Sequence, residues 1–385
     1  MRMFVSKSVL VLSSVVSIVV CMGKHGEAWS PPAMFASKVN VVADVSPEGP
    51  TFQNKKKVAV AGATGRTGVL VVEELLNRGV EVVALVRDLE KADQVLSTGD
   101  DGLLTVVKCD LLSKQSVKDA VKDCQAGIWC ATGFSSGNAS IVERMKSLFG
   151  LATKRTIDTV GLIHLAESLA TEEEEDGLPK LVMCSSAGVT RPSWSEDKKE
   201  ALVGCADIPI VRLNPFGILD LKCSSEQLLR ETNVPYCIVR PCGLQSDESV
   251  WKSNSRPILS QGDVAVGRIH RKDVASLLID VCLKEPESTG KTFEVCSVQN
   301  YPPPISLSSV LQPLVPDNTN DGTPYIPPLP VLQATYQTLQ QLLPGETQDS
   351  AALAMGQTYE QLDKEEVGRL GKRGEENLQE MELTV

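Results

Sequence analysis

The sequence has no excess of positive charge and no cluster of metal ligands. Its 385 residues include 38 Lys and Arg against 49 Asp and Glu, a formal net charge of −11. This balance would repel a nucleic-acid backbone, so nucleic-acid binding is disfavoured. None of the 11 cysteines forms a Cys-x-x-Cys motif or lies near a histidine at metal-ligand spacing, and we expect no bound metal. A chain of this length needs no disulfide framework, so we expect free thiols in a reducing or redox-active compartment.

Long apolar segments are missing beyond the N-terminus. Two basic residues precede the apolar run Val9–Met22, which is short for a membrane span, and small residues follow it. This pattern predicts a signal peptide over residues 1–28. Residues 29–54 continue as a transit-like linker with few acids, and the whole resembles the bipartite plastid presequence of diatoms and related algae, although Phe usually stands where Trp29 does. We predict import into the plastid (chloroplast), with secretion as the alternative, and no transmembrane segment in the mature chain.

Short apolar runs alternate with helical patterns between residues 55 and 300. Such alternation predicts βαβ units that build an α/β fold, a Rossmann-type, doubly wound parallel sheet. We expect residues 55–300 to form one domain. The runs expected to form strands are Val58–Ala61, Val82–Val86, Leu104–Val107, Ile128–Cys130, Leu181–Cys184, Ile238–Val239 and Phe293–Cys296.

The composition changes after Tyr301. Prolines recur at short intervals up to Pro328, and a proline cannot donate a hydrogen bond to a central sheet ladder. Helix-forming composition follows, and the last forty residues are net acidic. We therefore predict a Pro-rich linker and a short acidic helical tail over residues 301–385. The tail is either a solvated helix or a docking segment for a protein partner.

A glycine-rich turn lies between the first predicted strand and a helical pattern. Glycines at such a turn let the backbone approach a pyrophosphate, and the N-terminus of the following helix presents unpaired N–H groups to it. The turn therefore predicts a dinucleotide site. Its candidate residues are Gly62, Ala63, Thr64, Gly65, Arg66, Thr67 and Gly68.

The residue at the end of the second strand separates NAD sites from NADP sites. NAD sites place an Asp or Glu there for the ribose 2′-hydroxyl, whereas a cation suits a 2′-phosphate. Arg87 occupies this place, and Arg66 in the turn adds a second guanidinium, so we predict NADP(H). The alternative is that Asp88 binds the ribose while Arg87 faces solvent.

Two further strand ends are expected to line the cofactor. Asp110 and Leu111 end the third strand, where a carboxylate can meet the adenine amine. Ala131, Thr132 and Gly133 end the fourth strand, where small residues let the chain pass beside the cofactor. The order of these segments along the chain favours a dinucleotide site more than any one of them does alone.

These motifs together resemble the atypical short-chain dehydrogenase/reductase superfamily in its NmrA-like branch, which has plastid members in plants and algae. The resemblance spans about residues 55–297 and implies binding of NADP(H), with Pro241 among the cofactor contacts. The segments that carry it are Val58–Gly68, Val86–Asp88, Ile157–Gly161, Cys184–Gly188, Tyr236–Pro241 and Arg271–Ala275.

Catalytic members of this superfamily use a Tyr-x-x-x-Lys pair, in which the Lys holds the nicotinamide ribose and the Tyr serves as general acid. Lys222 matches the Lys, but Ile218 stands at the Tyr position and has no proton to give. Ser185 and Ser186 match the family's catalytic Ser and would hydrogen-bond a substrate or the nicotinamide amide. Lys222 is then either a ribose ligand or a surface lysine.

The histidines and the remaining thiols offer little further chemistry. Of the three histidines, His164 lies in an apolar helical stretch typical of core positions, and His270 begins a helix from which it can reach a substrate cleft. Cys130 and Cys242 lie on segments expected near the nicotinamide. For each of them the alternative is a buried thiol that takes no part in a reaction.

Two functions of different classes follow. The first is a plastid NADPH-dependent reductase of a small-molecule acceptor, since direct hydride transfer needs position and a dry pocket more than a strong acid. The second is a non-catalytic NADP-sensing scaffold or assembly factor for a photosynthetic or envelope complex. The missing Tyr and the C-terminal tail favour this second function.

Overall fold

The computed structural model describes residues 56–96, 102–132, 157–170, 176–206, 208–214, 217–301, 304–318 and 322–342. The predicted signal peptide and transit-like linker, Gly133 and the end of the acidic tail lie outside these ranges. The strands are β1 (Lys57–Ala61), β2 (Glu81–Val86), β3 (Leu104–Lys108), β4 (Ala126–Trp129), β5 (Leu181–Cys184), β6 (Tyr236–Pro241), β7 (Gly243–Gln245), β8 (Arg256–Ser260), β9 (Arg268–His270) and β10 (Lys291–Val298).

One sheet of eight strands has the order β3-β2-β1-β4-β5-β6-β10-β8, and β7 pairs with β9 in a separate ribbon. Neighbouring strands of the eight-stranded sheet run parallel, except that β8 is antiparallel to β10. The first strand, β1, lies in the interior of the sheet. The chain then adds β2 and β3 on one side of β1 and crosses to its other side at β4. This order confirms the predicted Rossmann-type, doubly wound α/β fold.

The helices lie mostly between the strands, as the alternating patterns predicted. The helix expected over 157–169 begins with a π-helical turn, Ile157–Gly161. Within the described ranges, no helix is both long and apolar enough to cross a bilayer, and no three His, Cys, Asp or Glu side chains are grouped to hold a metal ion. The helices are α1 (Arg66–Asn77), α2 (Leu89–Val95), α3 (Lys114–Val121), α4 (Leu162–Leu169), α5 (Glu196–Ala201), α6 (Val203–Ala206), α7 (Pro209–Leu213), α8 (Ile218–Arg230), α9 (Arg271–Lys284), α10 (Ser308–Leu311) and α11 (Leu329–Leu342).

Helices cover both faces of the sheet. Helices α1 and α9 pack on one face, against alternate strand residues such as Val58 and Val60. Helices α3, α4 and α8 cover the other face, against the residues in between, such as Ala59 and Ala61. Because both faces are buried, central strands such as β4 and β5 are apolar at every position instead of alternating with polar residues. The carboxyl ends of the parallel strands then meet at one edge, where a doubly wound fold binds its ligand.

The segment after the sheet packs against the domain, which differs from the predicted linker. Leu311, Leu332 and Leu339 are no more than 3% exposed. Leu332 joins a cluster with Val264 and Val266, and Leu339 lies in a second cluster near the carboxyl ends of β6 and β10. The prolines exclude this segment from the sheet ladder, but they do not prevent its leucines from being buried on the domain.

A buried carboxylate also ties this segment to the sheet. Asp317 is 6% exposed. It accepts hydrogen bonds from Arg230 Nε at 3.2 Å, Tyr236 Oη at 3.1 Å and Thr292 Oγ1 at 2.5 Å. Residues 304–318 and 322–342 are therefore anchored on the folded domain by buried leucines and by a buried carboxylate.

Candidate functional site

The glycine-rich turn lies in direct contact with the end of β4. Gly62 has a φ of +77°, and a Cβ atom at this position would lie 2.6 Å from the backbone nitrogen of Ala131. The turn is closed by a hydrogen bond from Gly65 N to Gly62 O at 2.9 Å. A Cβ atom on Gly68, in the first turn of α1, would collide with the same Gly62 oxygen. These contacts leave no room for side chains and bring the start of α1 close to the sheet edge.

The N-terminus of α1 has no side-chain cap among the described residues, and its first turn contains no acid. By contrast, Asp88 caps α2 and Ser113 caps α3, each accepting a hydrogen bond from a backbone N–H. An uncapped N-terminus directs unpaired N–H groups and the positive end of the helix dipole at whatever lies in front of it. The turn and this helix end therefore fit the pyrophosphate of a dinucleotide.

The other turn residues have distinct environments. Ala63 is fully buried, so its side chain belongs to the core and only its backbone is available to a ligand. Thr64 and Thr67 are half-buried, and Arg66 is exposed beside them. The turn thus combines a fixed backbone with one long cationic side chain at its rim.

The side chains of Arg87 and Asp88, at the end of β2, differ in the contacts that they make within the protein. The Asp88 carboxylate accepts a hydrogen bond from Lys91 N at 3.1 Å as the cap of α2. Arg87 is exposed, and its guanidinium makes no ion pair with the described part of the chain. Since the carboxylate has a structural role, the arrangement favours Arg87 over Asp88 as the side chain that meets the ribose.

The ends of β3 and β4 lie on either side of the cofactor cleft. Asp110 is exposed and accepts a hydrogen bond from Leu112 N at 3.0 Å, while the side chain of Leu111 is buried. Ala131 packs against the glycine turn, and Thr132 is exposed beside it. Asp110 therefore keeps an accessible carboxylate at the predicted adenine position.

The candidate catalytic residues are only partly brought together. Lys222, one turn after Ile218 in α8, is half-buried, and its positive charge acts on Cys130 and Cys184 at the ends of β4 and β5. This places Lys222 at the cleft and not on a remote surface. Ser186 donates its hydroxyl hydrogen to Ala187 O at 3.1 Å. In turn, the backbone of Ala187 donates to Pro241 O at 2.9 Å, so Pro241 holds this loop from the end of β6.

The Ser185 hydroxyl donates a hydrogen bond to a buried carboxylate that the sequence patterns do not reveal. Its Oγ lies 2.5 Å from Glu226 Oε1. Glu226 is fully buried and accepts further hydrogen bonds from Arg240 Nη2 at 2.6 Å and Arg230 Nη2 at 2.7 Å. The predicted bond from Ser185 to a substrate or nicotinamide amide would therefore have to replace a bond to Glu226.

The two arginines determine the ionisation of Glu226. Burial raises the pKa of this carboxyl, but the charges of Arg240 and Arg230 outweigh burial and lower it to about 2. A signal for this cluster was present in the sequence, since Arg240 interrupts the apolar run Tyr236–Pro241, and a charge in a buried strand requires a partner. The partner is 14 residues away, which local patterns do not reveal.

Glu294 on β10 belongs to the same cluster, but its pKa shifts in the opposite direction to that of Glu226. It is fully buried, with Oε1 3.4 Å from Arg240 Nη1 and Oε2 accepting a hydrogen bond from Ser260 Oγ at 3.2 Å. Burial, together with the negative charge of Asp263, raises the pKa of Glu294 to about 7. The folded protein therefore holds a proton on this site at pH values where an unfolded chain has lost it.

Replacing Glu294 with Gln is expected to make stability less sensitive to rising pH. Because the pKa is higher in the folded state, the free energy of unfolding falls as pH rises from the unfolded value near 4.3 through the folded value. Between pH 5 and 8 the wild type should lose about 2–3 kcal/mol more than the variant. Urea unfolding at both pH values measures this, and the exposed Glu231→Gln serves as control. Equal losses in wild type and Glu294→Gln would contradict the expectation.

The two histidines within the described ranges have structural contacts. His164 Nδ1 lies 3.1 Å from Leu111 O and joins α4 to the end of β3. His270 is 1% exposed and caps α9 by accepting from Lys272 N at 3.2 Å. These contacts agree with a core position for His164 and do not place His270 in the cofactor cleft.

Comparison with known proteins agrees with this geometry. Residues 62–286 match a family model described as NAD(P)H-binding. An uncharacterised chloroplast protein of Arabidopsis thaliana is 31% identical over 249 residues, which are 64% of this chain and 79% of that protein. The chloroplast protein TIC 62 of Arabidopsis thaliana is 27% identical over 77% of this chain, but the match spans only 44% of TIC 62.

Among solved structures, a putative NAD-dependent epimerase/dehydratase from Bacillus halodurans is 23% identical and has a TM-score of 0.47, covering 67% of this chain and 100% of that chain. The family match extends over the glycine turn, the ends of β2 to β6 and helix α9. The chain therefore belongs to the NAD(P)H-binding, NmrA-like branch of the atypical short-chain dehydrogenases/reductases and is related to chloroplast proteins of plants.

Proposed function

We propose that this protein is a plastid reductase that uses NADPH to reduce a small acceptor. The observation that carries the proposal is the state of the cleft: the glycine turn is closed on β4, and α1 is uncapped among the described residues. Both features are those that a bound pyrophosphate needs. An arginine stands at the position that separates the two nicotinamide cofactors.

The preference for NADP(H) rests on Arg87. Its guanidinium is exposed at the end of β2, and the neighbouring acid Asp88 is held in the cap of α2. A 2′-phosphate carries charge that a guanidinium can bind with two hydrogen bonds, whereas a ribose hydroxyl needs an acceptor. Arg66, exposed on the glycine turn, is a second donor of the same kind.

The chain's own residues support hydride transfer without a protein general acid. When bound, the dinucleotide supplies a hydride. A role for Lys222 in holding the nicotinamide ribose is supported by its charge, which acts on the thiols at the ends of β4 and β5. Ile218 has no acidic proton to donate, and the Ser185 hydroxyl already donates a hydrogen bond to Glu226. Acceptors that take their proton from water, such as flavins, quinones or tetrapyrroles, are therefore the substrates that fit.

Replacing Arg87 with Glu tests the cofactor assignment. The variant removes the phosphate ligand and adds a repelling charge, so NADPH affinity should fall at least tenfold, or about 1.4 kcal/mol, while NADH affinity stays within about threefold. Titration of the full chain, followed by tryptophan quenching and NADPH emission, measures both constants. Lys118→Glu makes the same charge change on an exposed part of α3 and should bind like the wild type.

If Arg87→Glu leaves NADPH affinity unchanged, the preference for NADP(H) is rejected. If the wild type binds neither nucleotide, the reductase proposal is rejected as well. Binding followed by turnover of a flavin, quinone, aldehyde or tetrapyrrole acceptor supports it.

A second candidate is a non-catalytic NADP-sensing scaffold or assembly factor, with a protein partner at its C-terminal segment. The observations that favour it are Ile218 in place of an acid and the bond between Ser185 and Glu226. Micromolar NADPH binding, no turnover of any acceptor and co-purification with a membrane complex would support the scaffold over the reductase.

The plastid location is supported by the relatives, which are named as chloroplast proteins, and by the pattern of residues 1–54. A fusion of residues 1–54 to a fluorescent protein tests it. Accumulation in the plastid supports the location, and secretion of the fusion contradicts it.

A further inference from the structure

Two cysteines face each other in the cofactor cleft. Strands β4 and β5 run parallel with Trp129 opposite Met183, so the next residues, Cys130 and Cys184, are opposite each other where the strands end. Both pack against the same hydrophobic cluster, on the face covered by α1 and α9. Both are half-buried free thiols. The family resemblance assigns no role to this pair.

We propose that Cys130 and Cys184 form a reversible disulfide, a modification site inside the cleft whose closure weakens dinucleotide binding. The dithiol site stands on the geometry of β4 and β5, and its effect on binding rests on the function proposed above. The co-reactant is a small disulfide such as oxidised glutathione, or a protein disulfide of similar potential.

The strand geometry suits such a bond. Neighbouring strands lie about 4.8 Å apart, and disulfides join Cα atoms that are about 4.4–6.8 Å apart. The Cβ atoms of a relaxed disulfide lie about 3.8 Å apart, which is less than the spacing of about 4.8 Å between neighbouring strands, so the strand ends must move together slightly. A disulfide formed this way is strained, and strained disulfides are the ones that are easily reduced again.

The surroundings favour Cys184 as the attacking sulfur. The neighbouring thiol of Cys130 lowers the pKa of Cys184, and the positive charges of Lys222 and Arg271 act in the same direction, against the opposing effect of burial. A thiolate at Cys184 attacks one sulfur of oxidised glutathione and releases one glutathione thiolate. Cys130 then loses its proton to water and attacks the Cys184 sulfur, which releases the second glutathione. The two thiols are oxidised while one glutathione disulfide is reduced.

The pair is coupled to the glycine turn through the backbone. Cys130 N donates to Ala61 O at 2.9 Å, on the strand that leads into the turn. A Cβ atom on Gly62 would lie 2.7 Å from the carbonyl carbon of Cys130 and 2.6 Å from Ala131 N, so the turn rests on this segment. If Cys130 moves toward Cys184, the backbone of Cys130 and Ala131 against which Gly62 packs moves with it. This movement disturbs the pyrophosphate site. By reciprocity, bound NADPH should shift the equilibrium from the disulfide toward the dithiol.

A second opposed pair supplies a matched control. Cys242 follows β6 and lies opposite Cys296 on β10, since Pro241 is paired with Val295. These two thiols are 9% and 0% exposed and lie with Leu339 of α11 in one cluster. Oxidation of this second pair is a separate event, which the variant Cys242→Ser removes while Cys130 and Cys184 stay in place.

The first test is a peptide map of the full chain after treatment with oxidised glutathione, with free thiols alkylated before digestion. We expect one peptide pair joined through Cys130 and Cys184 that dithiothreitol reverses, and at equilibrium with a fixed glutathione mixture the ratio of disulfide to dithiol should be at least fivefold lower when NADPH is present. Recovery of both cysteines as alkylated thiols would overturn the dithiol site. The arm of this map without NADPH does not depend on whether the protein binds a nucleotide.

The second test is NADPH titration of the oxidised and reduced forms of the wild type, Cys130→Ser and Cys242→Ser. Oxidation should weaken binding at least tenfold in the wild type and in Cys242→Ser, and not in Cys130→Ser. Equal affinities for the two wild-type forms, or an oxidation effect that survives in Cys130→Ser, would overturn the coupling. Failure of the reduced wild type to bind NADPH would instead reject the proposed function and leave the peptide map to decide the dithiol.

Discussion

Replacing Gly68 with alanine is expected to remove dinucleotide binding while most of the sheet stays folded. A Cβ atom at this position would collide with the carbonyl oxygen and carbon of Gly62 and lie 3.0 Å from the Ala63 Cα, all backbone atoms that no rotamer change can move. Either α1 shifts away from the turn or the turn opens. In both cases the uncapped N–H groups of α1 no longer converge on one anion.

We expect NADPH affinity to fall more than a hundredfold, which is about 2.7 kcal/mol or more. Gly65→Ala should have a smaller effect, because this glycine has a φ of −84° and its Cβ would lie 3.1 Å from Gly62 O. Gly79→Ala, just beyond the other end of α1, is the control for helix stability. Its φ is +72° with nothing near the added Cβ, so it should cost about 1 kcal/mol of stability and leave affinity unchanged.

Fluorescence titration gives the affinities, and circular dichroism with thermal unfolding shows whether each variant is folded. A folded Gly68→Ala protein that binds NADPH within threefold of the wild type would contradict the role of the turn. A loss of affinity in Gly79→Ala equal to that in Gly68→Ala would mean that general helix stability, not the close approach, is what binding requires.

The sheet and the glycine turn could be predicted from the sequence because each depends on neighbours in the chain. Apolar runs such as Val58–Ala61 predict strands that are buried on both faces, and the turn at Gly62–Gly68 lies between a strand and a helix. Strands β7 and β9 have three residues each and were not predicted, since so short a strand shows no period.

The packing of the C-terminal segment could not be predicted, because its anchors are distant in sequence. Asp317 is bonded to Arg230, 87 residues away, and nothing in its local sequence marks it as buried. The prolines around it are typical of a linker, and they do not distinguish an extended segment in solvent from one lying on a domain. The bond of Ser185 to Glu226, across 41 residues, escaped prediction for the same reason.

Replacing Glu226 with alanine is expected to destabilise the fold by about 3–5 kcal/mol. The variant leaves Arg230 and Arg240, each no more than 3% exposed, without the carboxylate that both contact. Removing one member of a buried ion pair is more damaging than removing both, since an uncompensated charge stays in a low dielectric. Glu231→Ala, an exposed position just after the same helix, should change stability by less than about 0.5 kcal/mol.

The pH dependence of the same variant separates a charge effect from a packing effect. The pKa of Glu226 is lowered to about 2 in the folded state. Its ionic contribution is therefore present above the unfolded value near 4.3 and is lost as pH falls through this window. The gap between wild type and Glu226→Ala should be full at pH 7 and shrink toward pH 2–3, as measured by urea unfolding. A gap that stays constant with pH would show that Glu226 acts by filling space, and Arg230 would then hold Asp317 and the C-terminal segment without its help.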